Sequence, residues 1–248
     1  GPFARCTADL ALGYDVLQGH DPGDPACAMR PVEPASSELD QGIAGLRAGV
    51  LGEWFTEGAS PEALEAVERV ASAFGSAIRV VLPEARRARA AAFCITCASG
   101  AELHQDRLRS RPQDFDPATR DRFYAGTLLP ATVVAKAQRL RRWFAGSART
   151  MFERVDILLA PCTPAVAPLI GQKTMFLGDA EVPARPNIGI YTQPISFIGL
   201  PVVAVPVWTS GSLPIGVQVI APPWQEVRAL RVAAHLERVG IISATRPA

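Results

Sequence analysis

Cys94 and Cys97 make the one C-x-x-C spacing in the chain. Such a pair could ligate a metal or run thiol–disulfide exchange. Structural zinc takes four ligands, and no second pair is present. A redox pair needs a helix N-terminus that follows a strand, whereas Phe93 to Ala98 reads as the middle of an alanine-rich helix. Core packing accounts for both thiols. The histidines are His20, His104 and His235, with no H-E-x-x-H spacing and no G-x-S-x-G elbow. Ser–His–Asp hydrolysis lacks its signature. His235 belongs to the last helix, and His104, near the end of the alanine-rich helix, is a candidate for facing a cleft. Gly171-Gln172-Lys173-Thr174 lacks two glycines of a phosphate loop, and no G-x-G-x-x-G joins a strand to a helix. Arg139, Arg141 and Arg142 form a basic cluster. With no aromatic interleaved, it reads as a solvated helix face and not as a nucleic-acid platform.

The elements that must position these residues follow from composition and pattern. The chain has 248 residues, 48% hydrophobic and 20% charged, enough for a large α/β core and too apolar for disorder. A net charge of +1 supplies no global pull toward nucleic acid or an acidic membrane. Five irregularly spaced cysteines do not read as a disulfide framework, so a cytoplasmic location is expected. Between Asn187 and Gln225 there is no charged side chain but six prolines, from Pro194 to Pro223. The prolines argue against a membrane helix. What remains is short buried strands, Val202 to Val205 and Ile215 to Ile220, covered on both faces.

Elsewhere the pattern predicts a helix over 8–18 capped by Thr7 and ended by Gly19, then a surface connection over 20–42. A strand over 46–51, a helix from Ser60-Pro61-Glu62 to Phe74 and a strand over 77–82 imply a parallel pair. Helices are expected over 84–109, 119–128 and 130–154, and a strand over 156–160 that stops at Pro161. Residues 161–191 read as a long, proline-interrupted loop, and 224–238 as the last helix.

Several stretches together resemble the amidase-signature family. They are Gly1-Pro2-Phe3-Ala4-Arg5 with Asp9-Leu10-Ala11, Asp156-Ile157-Leu158-Leu159-Ala160-Pro161 with Thr163-Pro164, Phe197 to Pro201, Val205-Pro206, Leu213 to Gln218, and Glu226. Lys136 to Arg141 fits a helix common there. Arg185 to Pro194 looks most like the branch that includes 1-carboxybiuret hydrolase. The resemblance implies an α/β fold, a mixed and largely buried β-sheet flanked by helices, incomplete because the N-terminal half is absent. All of 1–248 would be the C-terminal portion of a single domain. The expected activity of the parent is hydrolysis of a small amide or ureido C–N bond by a serine, a second serine in a cis peptide and a lysine, without a cofactor or metal. A neutral lysine would take the serine proton through the second serine, and backbone amides would hold the oxyanion.

Neither Lys136 nor Lys173 has the serine-rich surroundings this chemistry needs, so no catalytic residue is assigned in the chain. The machinery is expected upstream and the chain alone inactive. The chain would contribute substrate-facing wall: Glu102 and His104, and the stretch with Arg185, Tyr191, Thr192 and Gln193. Arg185 could fork onto a substrate carboxylate, while the next three could orient an amide. The bland alternative makes Arg185 a surface residue and Gln193 a backbone cap. Expected partners are a small amide substrate and a small accessory subunit or second copy, with no nucleic acid and no membrane. Two other functions stay open: an amidotransferase component of the A type, working on misacylated tRNA, and a non-catalytic scaffold.

Overall fold

The computed structural model describes residues 1–209 and 213–244. They fall into two compact units. A sheet unit comprises residues 1–81, 152–192 and 200–248, and a helical unit comprises 82–151 and 193–199.

The sheet unit opens with helix α1 (Thr7–Leu17). Its N-cap is Cys6, whose Sγ accepts the Asp9 N–H at 3.5 Å, so Thr7 is the first helical residue and not the cap. Strand β1 (Ala48–Leu51) leads to α2 (Pro61–Ser72) and β2 (Ala77–Val80). The α2 start follows its chemistry: Ser60 Oγ accepts the Ala63 N–H at 3.3 Å, Pro61 occupies the first turn, and Glu62 meets the positive end of the helix dipole. Strands β3 (Ile157–Pro161), β4 (Thr174–Leu177), β5 (Ala180–Pro183), β6 (Val202–Val207) and β7 (Ile215–Ile220) follow, with α9 (Glu226–Arg238) last. The numbers between belong to α3 (Ala85–Leu103), α4 (Gln105–Ser110), α5 (Pro117–Thr127), α6 (Ala131–Met151), α7 (Ala184–Asn187) and α8 (Thr192–Phe197).

The main sheet has the order β2-β1-β3-β7-β6. β1 runs parallel to β2 and β3, as the α2 crossover requires, while β7 is antiparallel to both β3 and β6. One face packs on α2 and α9: Val50, Leu159, Val217 and Val219 meet Ala66, Val70, Val232 and Leu236. Central strands β3 and β7 are buried on both faces. Outer strand β6 is not: Val205 and Val207 are buried, but Val202 and Ala204 face out. Pro206 is tolerated because β6 pairs on one side only. Full coverage of 202–205 is thus corrected: an outer strand keeps one neighbour and one buried face.

Three further expectations change. Residues 161–191 contain the β4–β5 hairpin, turned by Gly178 with φ at +60°, and then α7. β3 runs through Pro161 rather than stopping before it. The helix expected over 84–109 is two helices that meet at His104, where φ is −108° and ψ is 14°.

One ion pair ties the start of β1 to that of β3. The Asp156 carboxylate accepts the Arg47 backbone N–H and Nε, each at 2.9 Å, and Arg228 approaches at 3.7 Å. The Arg47 hydrogen bond, opposed by partial burial, holds the Asp156 carboxyl below its ordinary value of 3.8. A depressed folded-state value means this stability is present above that pH and is lost as pH falls through the lower, folded value. Asp156→Asn should therefore flatten the acid limb of a stability–pH curve below about pH 4. Urea melts across that range check it, and an unchanged limb would refute it.

Among the described residues no helix is long and apolar enough to cross a membrane.

Candidate functional site

In the sheet unit the candidate residues lie on the stretch after β5. Residues 184–187 form the single turn α7, with the Ile188 N–H bonded to the Ala184 carbonyl and Asn187 Nδ2 donating to the Pro183 carbonyl at 2.9 Å. Arg185 lies on this turn and is exposed. Tyr191 is the opposite case, fully buried, with its ring centroid 6.4 Å from that of Phe55. Its hydroxyl donates to the Glu57 carbonyl at 2.8 Å. Burial, with the Glu57 carboxylate adding to it, raises the Tyr191 phenol well above its usual value. It remains a neutral donor at any physiological pH. Thr192 is half-buried, and its hydroxyl donates to the Gly189 carbonyl at 3.1 Å.

Two anchors that sequence reasoning did not assign hold this stretch. Trp54 Nε1 donates to the Ile190 carbonyl at 3.4 Å. Gln218, 1% exposed on β7, donates its amide to the Pro161 carbonyl at 2.8 Å and to the Tyr191 carbonyl at 3.3 Å. One buried side chain thus joins β7, the end of β3 and the candidate stretch. A signal for it exists in the sequence: Gln218 is the lone amide in an otherwise apolar strand, and a buried amide needs partners. The structure therefore brings Arg185, Tyr191 and Thr192 onto one tethered segment, with Arg185 exposed and the Tyr191 hydroxyl committed to the Glu57 carbonyl.

In the helical unit, His104 sits where α3 gives way to α4. Its ring lies 5.5 Å from Phe115 and 5.3 Å from Phe123, and the two phenylalanines meet edge to face at 6.0 Å. An aromatic cluster thus holds the imidazole. Glu102, two residues earlier, is exposed. Gln193 is half-buried, and its Oε1 accepts Arg89 Nε at 2.7 Å. Burial lowers the Arg89 pKa, yet guanidinium stays charged in proteins, so this is a charge-assisted bond that orients the amide. Arg89 was not identified from sequence.

The thiols are free. Cys97 is buried and Cys94 half-buried on α3, and burial raises the Cys97 pKa. Cys162 is pushed up to about 12 by burial. Thiols held neutral are poor nucleophiles and poor metal ligands. Among the described residues no group of three or more His, Cys, Asp or Glu is placed to hold a metal.

Comparison with known proteins bears on the family and the fold. The Amidase family model matches residues 1–230. The AtzE subunit of 1-carboxybiuret hydrolase from Pseudomonas sp. (strain ADP) is 46% identical over 243 residues, 97% of this chain and 53% of that protein. The A subunit of glutamyl-tRNA(Gln) amidotransferase from Synechococcus sp. (strain RCC307) is 32% identical over 281 aligned positions, 100% of this chain and 56% of that protein. A solved chain from the inhibitor-bound vestigial protein complex that reveals the evolutionary origins of an s-triazine catabolic enzyme superposes with a TM-score of 0.95. It is 46% identical and covers 99% of this chain and 54% of its own. The chain spans about half the length of the curated relatives it matches. Matched along most of its length in sequence and superposing closely in fold, the chain belongs to the Amidase family.

Proposed function

We propose that this chain is the downstream portion of an amidase that hydrolyses a small amide or ureido C–N bond, of the 1-carboxybiuret hydrolase kind. The observation that carries the reading is 46% identity across 97% of the chain to AtzE, against 32% to the A subunit of an amidotransferase. In this reading both units belong to one domain of the longer protein. The nucleophile and base lie in the part not represented here, and the chain supplies substrate-facing wall. In the sheet unit, Arg185 takes a substrate carboxylate, Thr192 orients the amide, and buried Tyr191 holds the segment in place. In the helical unit, Glu102, His104 and Gln193 are assigned substrate-facing positions of their own. Working in a reducing cytoplasm with an accessory protein is part of the reading. The free thiols support the first point. The second is supported by AtzE being one subunit of its enzyme, and by the solved chain coming from a protein complex.

The test offers the protein at the full length of its relatives either carboxybiuret, read as ammonia release, or misacylated tRNA with an amide nitrogen donor, read as amidation of the tRNA-bound acid. Release from the small ureido acid, and none from this chain alone, is expected. Arg185→Ala should raise KM at least about tenfold with little change in kcat, the mark of lost ground-state binding. Amide turnover by the isolated chain, or activity confined to the tRNA substrate, overturns the reading.

A further inference from the structure

The net charge of +1 conceals a division between the units. The helical unit carries thirteen Lys and Arg against six Asp and Glu, a balance of +7, and the sheet unit twelve against eighteen, a balance of −6. The cations concentrate on α6, whose 21 residues include five Lys or Arg and no acid. Its buried residues Ala137, Phe144 and Ala148 share one side. At 100° per residue, Lys136, Arg139, Arg142 and Arg149 fall on the other side within an arc of about 140°. All four are exposed, and among the described residues none has an ion-pair partner. Trp143, 49% exposed, lies inside the same arc. The arginine cluster is therefore not the aromatic-free face expected from sequence. Arginine with an exposed tryptophan is the composition of interface hot spots, whereas a face that serves only solubility has no use for the indole.

The acid excess is concentrated as well. Residues 1–40 hold seven Asp and Glu against Arg5 and Arg30. Asp21 and Asp24 are exposed, each accepting one local N–H, from Gly23 and Ala26, and facing no cation among the described residues. These turn bonds fix each carboxylate while leaving an oxygen open.

We propose that the α6 arginine face is a self-association surface that takes the acidic stretch 1–40 of a second copy of this chain. Forked guanidinium–carboxylate pairs suit the arginines, which supply four of the five α6 cations. Trp143 adds the apolar anchor. The proposal is independent of which substrate the parent takes.

Sedimentation velocity of the chain at about 50 mM and about 500 mM salt tests it, because salt screens charge pairs and leaves apolar contacts in place. Association at low salt that is lost at high salt is expected. Arg139→Glu/Arg142→Glu and, separately, Asp21→Arg/Asp24→Arg should each weaken self-association at least about tenfold. Mixing the two variants should restore it, since each supplies what the other has lost. The second pair lies in an exposed loop, so the test holds even where α6 tolerates reversal poorly. A wild type that stays monomeric at low salt, variants that associate like it, or a mixture that does not recover would overturn the proposal. So would a short single-stranded RNA that binds the same arginines while the chain itself stays monomeric.

Discussion

Gly126→Ala is expected to destabilise the helical unit by about 3 kcal/mol or more, at the top of the range for an overpacked core. A Cβ on Gly126 of α5 would lie 2.1 Å from the Cys97 carbonyl oxygen and 2.5 Å from its carbon. Those atoms are α3 backbone and cannot swing aside. Helix propensity predicts the opposite sign, a gain of about 1 kcal/mol for alanine. Sterics decide, because relieving the overlap means separating α3 from α5 along their contact. Gly100 makes a useful control. Its Cβ would come within 2.1 Å of the Phe123 ring, which can turn. Gly100→Ala should cost less, and Phe123→Leu should recover part of the loss, whereas no side-chain truncation rescues Gly126→Ala. Urea melts, with hydrogen exchange read at α3 and α5, measure both. A Gly126→Ala loss below about 0.5 kcal/mol would contradict the packing seen here. The site is affected too: Phe123 packs against His104, so loosening α5 releases the imidazole at the end of α3.

Where the fold was legible in sequence, local chemistry and tertiary demand agreed. Ser60-Pro61-Glu62 started α2 as written, and Ile215 to Ile220, β-branched and bracketed by Pro214 and Pro222, is the observed β7 residue for residue. The departures came from interactions between distant residues. The break at His104 accompanies an aromatic cluster with Phe115 and Phe123, which helix propensity cannot register. The β4–β5 hairpin did carry a signal, Gly178-Asp179 between Met175 and Val182, but the prolines on either side drew the whole span into one loop. β6 looked fully buried because valine alternation says nothing about which strand is outermost.

The candidate site was less legible for the same reason. Arg185, Tyr191 and Thr192 stood out by residue type, yet what fixes them lies far away in sequence: Glu57 beneath the Tyr191 hydroxyl, Trp54 beneath Ile190, Gln218 beneath Tyr191. The α6 face needed exposure as well as sequence. Trp143 directly follows Arg142, but only its solvent-facing position sets it among the cations.

Gln218 supports the largest expected effect on the site itself. Gln218→Leu keeps nearly the same volume, so the cavity term is small and the polar term dominates. Two donors vanish, and the Pro161 and Tyr191 carbonyls lose them in a place water does not reach. At about 1–3 kcal/mol for each of the two buried groups left unpaired, a loss of about 2–6 kcal/mol follows. It should appear as a lower urea midpoint with unchanged slope, because what is lost is pairing and not compactness. Gln218→Glu separates pairing from shape. As a carboxylate it would set a charge against two carbonyl oxygens, whereas as a neutral acid it can still donate once. Its pKa in the folded state should therefore be raised, and the stability of that variant should fall as pH rises. Gln218→Leu offers no proton to exchange and should show no such added slope. If both variants melt like the parent at every pH, Gln218 does not tether the Arg185–Thr192 stretch. If the Leu variant alone is weakened without pH dependence while the Glu variant falls steadily with rising pH, the two carbonyls are what the amide is there to satisfy.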